Sequence, residues 1–156
     1  MDPLALKEIL RLVPLAATWV GEQEARILES GLPLDERGKR IALAIGLTEP
    51  DKVRILTESQ SPSPTDPVLR QAATALGMTG GQTMGISFRY GIYIWSGCID
   101  PDRVLAHELT HTLQYERYGS LVAFLTAYLW ECIDPGYPNG PLEQEARGKE
   151  SLGYGM

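Results

Sequence analysis

The chain has 156 residues, 44% of them apolar, and a formal net charge of −6 spread along its length. That length suits one domain with one core, and the scattered acidity excludes it from nucleic acid and anionic membrane surfaces, whose binding needs clustered Lys and Arg. Two cysteines, Cys98 and Cys132, are too few for a disulfide scaffold and fit a reducing compartment.

Residues 3–29 carry apolar side chains at Leu4, Ile9, Leu12, Val13, Leu15 and Val20, close to helical spacing, and Pro14 predicts a break or kink. Lys7, Glu8 and Arg11 interrupt the apolar run that a secretory signal requires. After a turn at Gly31-Leu32-Pro33 a second short helix is expected, ending near Gly46. Val53 and Ile55 alternate with Arg54, a short strand. Ser59 to Pro67 is a Pro/Ser loop, and Asp66-Pro67 starts another helix. Ile86 and Phe88, then Ile92 and Ile94 after a turn at Tyr90-Gly91, predict two antiparallel strands. Asp100-Pro101 predicts a capped helix that stops at Gly119. Ser120 caps a third apolar helix to about Ile133, and after a turn-rich loop Pro141 begins a last short one. The apolar run Leu121 to Trp130 is about half the roughly 20 residues that span a bilayer. No transmembrane segment is expected, and the protein is read as cytoplasmic. Helices, then strands, then helices argue an α+β domain rather than a parallel βαβ fold.

The helix after Pro101 contains both histidines of the chain, in His107-Glu108-Leu109-Thr110-His111. At i and i+4 they share one helix face and can bind one metal ion. Glu108 lies a third of a turn away, where it can reach a metal-activated water without ligating the metal: two ligands plus a general base. Leu105, Leu109, Thr112 and Leu113 give the helix a face to bury, leaving the opposite face for chemistry. A catalytic zinc site takes three protein ligands, and no third histidine exists. Asp, Glu or Cys must complete it. Glu143 and Glu145, on the returning last helix, are the candidates, and Cys98 is within a few residues of the active helix. Cys98 and Cys132 also read as small buried hydrophobes. Tyr115, Tyr137 and Tyr93 could donate to an oxyanion, and such a residue is more often just a packed aromatic.

His107-Glu108-Leu109-Thr110-His111 followed by Glu143-Gln144-Glu145-Ala146 resembles the gluzincin branch of zinc metallopeptidases, in particular its small bacterial minimal-domain members. The resemblance covers roughly residues 85–147, which would be the catalytic core. It implies a zincin-like fold with a short antiparallel sheet, an active-site helix and a returning helix bearing a Glu ligand. By the family pattern of Glu, Ala three residues on, then Asp, it makes Glu143 the ligand and leaves Glu145 as its rival. It also implies an edge strand ahead of the motif that holds extended peptide, here Gly91, Ile92, Tyr93, Ile94 and Trp95. Arg147 stands where the family tends to have an aspartate that orients a zinc histidine, so the resemblance supplies no orienting residue. Residues 1–60 match no functional pattern.

The expectation is therefore a Zn²⁺-dependent hydrolase, a peptidase acting on peptide or protein. The alternative is a zinc-binding but inactive interaction module. Glu108 argues against that alternative, since a structural site needs no base and is usually closed by four Cys-rich ligands.

Overall fold

A computed structural model of the chain describes residues 2–78 and 82–154. Along the chain run α1 (Pro3–Ser30), β1 (Leu32–Pro33), α2 (Glu36–Ile45), β2 (Arg54–Glu58), α3 (Pro67–Ala75), β3 (Gly85–Phe88), β4 (Gly91–Trp95), α4 (Pro101–Tyr118), α5 (Leu121–Glu131) and α6 (Pro141–Gly148). Irregular helical turns follow α5 (Cys132–Gly136) and α6 (Glu150–Gly153). This is the expected mixture of helices and a small sheet. Among the described residues no helix is long and apolar enough to cross a membrane.

The capping residues set most of the boundaries. Asp35 accepts from the Gly38 amide at 2.7 Å, Asp66 from Leu69 at 2.9 Å and Ser120 from Ala123 at 3.1 Å, each satisfying an amide with no partner inside the helix. Gly119 ends α4 at φ 87°, a left-handed turn that favours glycine. Asp100 departs from the pattern. Its carboxylate makes no cap bond to α4. It faces Arg103 and the Tyr154 hydroxyl instead.

Pro14 does not end α1, which runs unbroken for 28 residues. An interior proline costs roughly 3 kcal/mol. Ile9, Leu12, Val13, Ala16, Val20 and Ile27 are all buried along the same helix. Burying one such large aliphatic side chain contributes about 1.5–3 kcal/mol, so two of them offset the proline.

The sheet order is β1-β2-β4-β3, with β1/β2 and β4/β3 antiparallel and β2/β4 parallel. The sheet is thus mixed rather than purely antiparallel: the chain leaves β2, forms α3 and β3, and returns beside β2 in the same direction. Two consequences follow. First, β4 is an inner strand. Both of its backbone edges are occupied, by β2 and by β3, so the expected free edge for peptide at Gly91–Trp95 does not exist there. Gly91, Ile92, Tyr93 and Ile94 are buried as well. Second, residues 1–60 supply two of the four strands and α1, and cannot be a detachable cover.

The sheet separates two apolar clusters. On one side α1 packs with Phe88, Tyr93, Tyr115, Phe124 and Leu142; on the other α2 packs with Ile92, Ile94, Leu105 and Leu109. Tyr93 and its neighbours Ile92 and Ile94 fall on opposite sides, the period-two alternation of a strand. α4 contributes to both clusters and is buried nearly all round, from Val104 to Tyr115. Its chemical face is therefore covered too.

Candidate metal centre

α4 holds the His107 and His111 rings one above the other, with centroids 5.0 Å apart. α6 brings the third group. Its start is fixed by Glu131, whose carboxylate accepts from the Leu142 amide at 2.8 Å. Gly140 permits this approach, because a Cβ there would lie 2.7 Å from the Glu131 carboxylate oxygen. Glu143 then points at both rings: Oε1 lies 2.8 Å from His107 Nε2 and Oε2 lies 3.1 Å from His111 Nε2. All three donors are within 4.8 Å of one another and could hold one metal ion.

The far sides of the rings decide what the near sides can do. His107 Nδ1 is 2.7 Å from the Glu150 carboxylate, which also accepts from Arg103 at 2.8 Å. His111 Nδ1 is 2.8 Å from Gln114 Oε1. Gln114 must present its oxygen there, because its amide nitrogen donates to Leu142 O and Glu145 Oε1. Both Nδ1 atoms therefore carry the proton, and in the neutral rings both Nε2 atoms are bare lone pairs. Each faces a Glu143 oxygen, another acceptor, at hydrogen-bond distance. Acceptor against acceptor is repulsive unless a cation lies between them: extra protons on the rings, or one metal ion serving all three groups. The donor set of two imidazole nitrogens and a carboxylate suits the latter.

Without a metal, the surroundings of both rings favour the protonated form. Burial opposes charge on His107, yet the hydrogen bond to Glu143 and the carboxylates of Glu108, Glu143 and Glu150 outweigh it and raise its pKa to about 9. His111 is raised by Glu143 and Glu108 against its own burial. Glu143, despite burial, is held well below the usual carboxylate range by the two histidines. Glu108 goes the other way: burial pushes it up, only partly offset by His107 and His111. The two carboxylates are thus shifted in opposite directions.

Glu108 stands outside the ligand trio, with Oε2 4.0 Å from His107 Nε2. β3 crosses directly over it, with Gly85 against its side chain. Gly85 makes the crossing possible, since a Cβ would lie 2.7 Å from Val104 Cγ1 and 3.1 Å from Glu108 Cγ. The adjoining turn is clamped. Arg89, at φ 66°, gives its guanidinium to Glu24 of α1 at 2.8 and 2.7 Å, and Thr112 of α4 donates to Arg89 O at 2.6 Å.

Of the other residues singled out in the sequence, Glu145 turns away from the cluster to Arg117, at 2.8 Å. Tyr115 is buried in the apolar core, its ring 3.9 Å from Phe124. Tyr93 is also core, its hydroxyl buried with no partner among the described residues. Tyr137 is 37% exposed, and burial followed by the nearby carboxylates of Glu143 and Glu108 raises its pKa, which places it at the rim of the cluster. Cys98 and Cys132 are free thiols, the latter buried and pushed up to about 12 by burial and Glu143. Neither belongs to the trio. Three contributors were not foreseen. Tyr128 of α5 donates to Glu143 Oε2 at 3.0 Å and sets its ring edge-on to His111. Only its position on an apolar helix hinted at an inward hydroxyl. Glu150 lies two helical turns beyond Glu143, a repeat that puts both on one side. Gln114 lies one turn beyond His111.

Comparison with protein-family models, with curated proteins and with solved structures found no match to this chain.

Proposed function

We propose that the chain is a zinc-dependent hydrolase whose substrate is a peptide bond. One observation carries the reading: His107, His111 and Glu143 converge within 4.8 Å, while a further buried carboxylate, Glu108, stands 4.0 Å from His107 and outside the trio. Three protein ligands of this kind leave a fourth position for water, the pattern of catalytic rather than structural zinc. The peptide part of the reading rests on the resemblance to gluzincins. Glu150 would take the orienting task that Arg147 cannot.

Zinc, when bound, would polarise the scissile carbonyl and lower the pKa of water toward about 7. Glu108 would accept the proton of the attacking water and pass it to the leaving nitrogen. Its burial favours this, because a carboxyl with raised proton affinity is a better base than an ordinary one. Tyr137, the most solvent-facing phenol near the cluster, is the candidate donor to the oxyanion; Tyr128 is already committed to Glu143. Recognition by strand addition would fall to β3, the outer strand beside α4, rather than to β4.

The test is Glu108→Gln, which keeps the size and removes the base. Zinc binding should persist while hydrolysis of a broad peptide library falls by about 10²–10⁴-fold. A variant that cleaves as fast as wild type would eliminate the mechanism.

A second reading has its own support. The side chains of His107, Glu108, His111 and Glu143 are only 14, 9, 8 and 8% exposed, and the cavity beside Glu143 is about 10 Å³. A zinc-binding module without turnover would look as closed as this. Zinc binding without cleavage by wild type would favour it.

A further inference from the structure

Gln114 is fully buried at the foot of the active helix. A buried amide normally serves one neighbour on each side. This one serves three, and they lie on the two elements that supply the whole trio. Its oxygen takes the His111 Nδ1 proton at 2.8 Å. Its nitrogen holds Leu142 O at 2.9 Å, the carbonyl one residue before Glu143. The same nitrogen holds Glu145 Oε1 at 2.8 Å, two residues after Glu143, and Arg117 anchors that carboxylate from outside. The two residues flanking Glu143 are thus both tied to α4 through one side chain. An amide suits this place because it alone accepts on one atom and donates twice on the other. A carboxylate could accept from His111 but not hold Leu142 O, and an ammonium could do the reverse.

We propose that Gln114 is a positioning residue that couples the two halves of the metal centre, fixing the His111 tautomer and the placement of Glu143 by one hydrogen-bonded strap. The inference rests on the reading of the cluster as a metal site. It assigns Glu145 a role as well: the residue that rivals Glu143 in sequence is the outer anchor of the strap. Residues that orient a metal ligand typically matter 10–100-fold in metal affinity.

The experiment compares wild type, Gln114→Met, Gln114→Glu and, as control, Arg11→Ala on the exposed face of α1. Zn²⁺ affinity is measured by competition with a chromophoric chelator, and Co²⁺ is used as a spectroscopic probe of ligand geometry. Circular dichroism and melting in the presence of chelator report the metal-free fold. Gln114→Met should weaken Zn²⁺ binding about 10–100-fold and alter the Co²⁺ spectrum while a folded metal-free protein remains. Gln114→Glu keeps the acceptor for His111 but sets an oxygen against Leu142 O and Glu145 Oε1, so it too should weaken Zn²⁺ binding. Arg11→Ala should bind as wild type. Wild-type affinity and spectrum in both Gln114 variants would overturn the proposal. So would a loss of affinity that merely follows the fraction of protein unfolded. If wild type takes up neither Zn²⁺ nor Co²⁺, the metal reading itself has failed, and the strap is judged by nuclear magnetic resonance on the metal-free protein. A slowly exchanging His111 Nδ1 proton in wild type that is lost in Gln114→Met would then support it. A proton unchanged in that variant, or absent from wild type, would overturn it.

Discussion

The histidine face of α4 and the strand β4 were both marked by short sequence patterns, and the structure treats them differently. On α4 the pattern is local. His107 and His111 meet because 3.6 residues make a turn, whatever else the chain does. On β4 the pattern is local too, but the inference drawn from it was not. Alternation in Gly91–Trp95 fixes which side chains share a face; whether the backbone edges are free depends on β2, more than thirty residues upstream, lying parallel beside it. A spacing on one helix is a statement about geometry. An open edge is a statement about every other strand.

The sharpest way to break that contrast is Tyr93→Pro. In an open edge strand it would remove one recognition donor and leave the fold intact. In the inner strand observed, it removes a ladder hydrogen bond and a fully buried tyrosine together. Proline in an inner strand leaves a gap in the ladder that sheets tolerate essentially only at edges, and losing a large buried aromatic costs about 3–5 kcal/mol. Against a typical total of 5–15 kcal/mol, the variant should be unfolded or barely folded by circular dichroism. A well-folded Tyr93→Pro with normal melting would return β4 to the sheet edge.

What was legible in the sequence follows the same division. Helix starts at Asp66 and Ser120 and stops at Gly46 and Gly119 could be read because a cap is a contact between near neighbours. Asp100 looked the same and was not a cap, because Arg103 and Tyr154 compete for its carboxylate. Pro14 does not break α1, because its cost is local while the burial that offsets it is tertiary. In the site, His107, Glu108 and His111 were visible in one helix, and Glu143 through a family resemblance. Glu150, Gln114 and Tyr128 were not, since a residue that orients a ligand is defined by a hydrogen bond between separate elements. Tyr115 shows the reverse error: it continues the i+4 spacing from His111, but on a helix buried all round that leads into the core.

The charged cluster gives a pH signature that the apolar sheet lacks. In metal-free protein the His107 pKa is raised from 6.5 to about 9. A raised folded-state pKa means that protonation favours the folded state. The contribution is therefore complete below about pH 6.5 and is lost as pH rises through about 9. Its size is at most about 3 kcal/mol, from the shift in pKa and 1.36 kcal/mol per unit. Melting in the presence of chelator should fall over that window, and the fall should vanish with zinc bound, because the metal then replaces the proton. A flat profile in chelator would show that the cluster is not assembled without metal.

The smallest effect sharpens the choice between the two glutamates of α6. Glu145→Gln keeps an acceptor for Gln114 and loses a partly exposed ion pair with Arg117. Such pairs contribute about 0–1 kcal/mol, so melting should move little and zinc affinity should stay near wild type. Loss of zinc in Glu145→Gln, with retention in Glu143→Gln, would reverse the assignment of the third donor.

The most direct test of the metal centre is elemental analysis of tag-free protein after dialysis against micromolar zinc, run beside Glu143→Ala. One zinc per chain in wild type, and a loss of retained metal in the folded variant, is the result the geometry of His107, His111 and Glu143 predicts. Wild-type protein that retains no transition metal at that concentration would contradict it, and the two histidines would then be charged partners of a buried glutamate and nothing more.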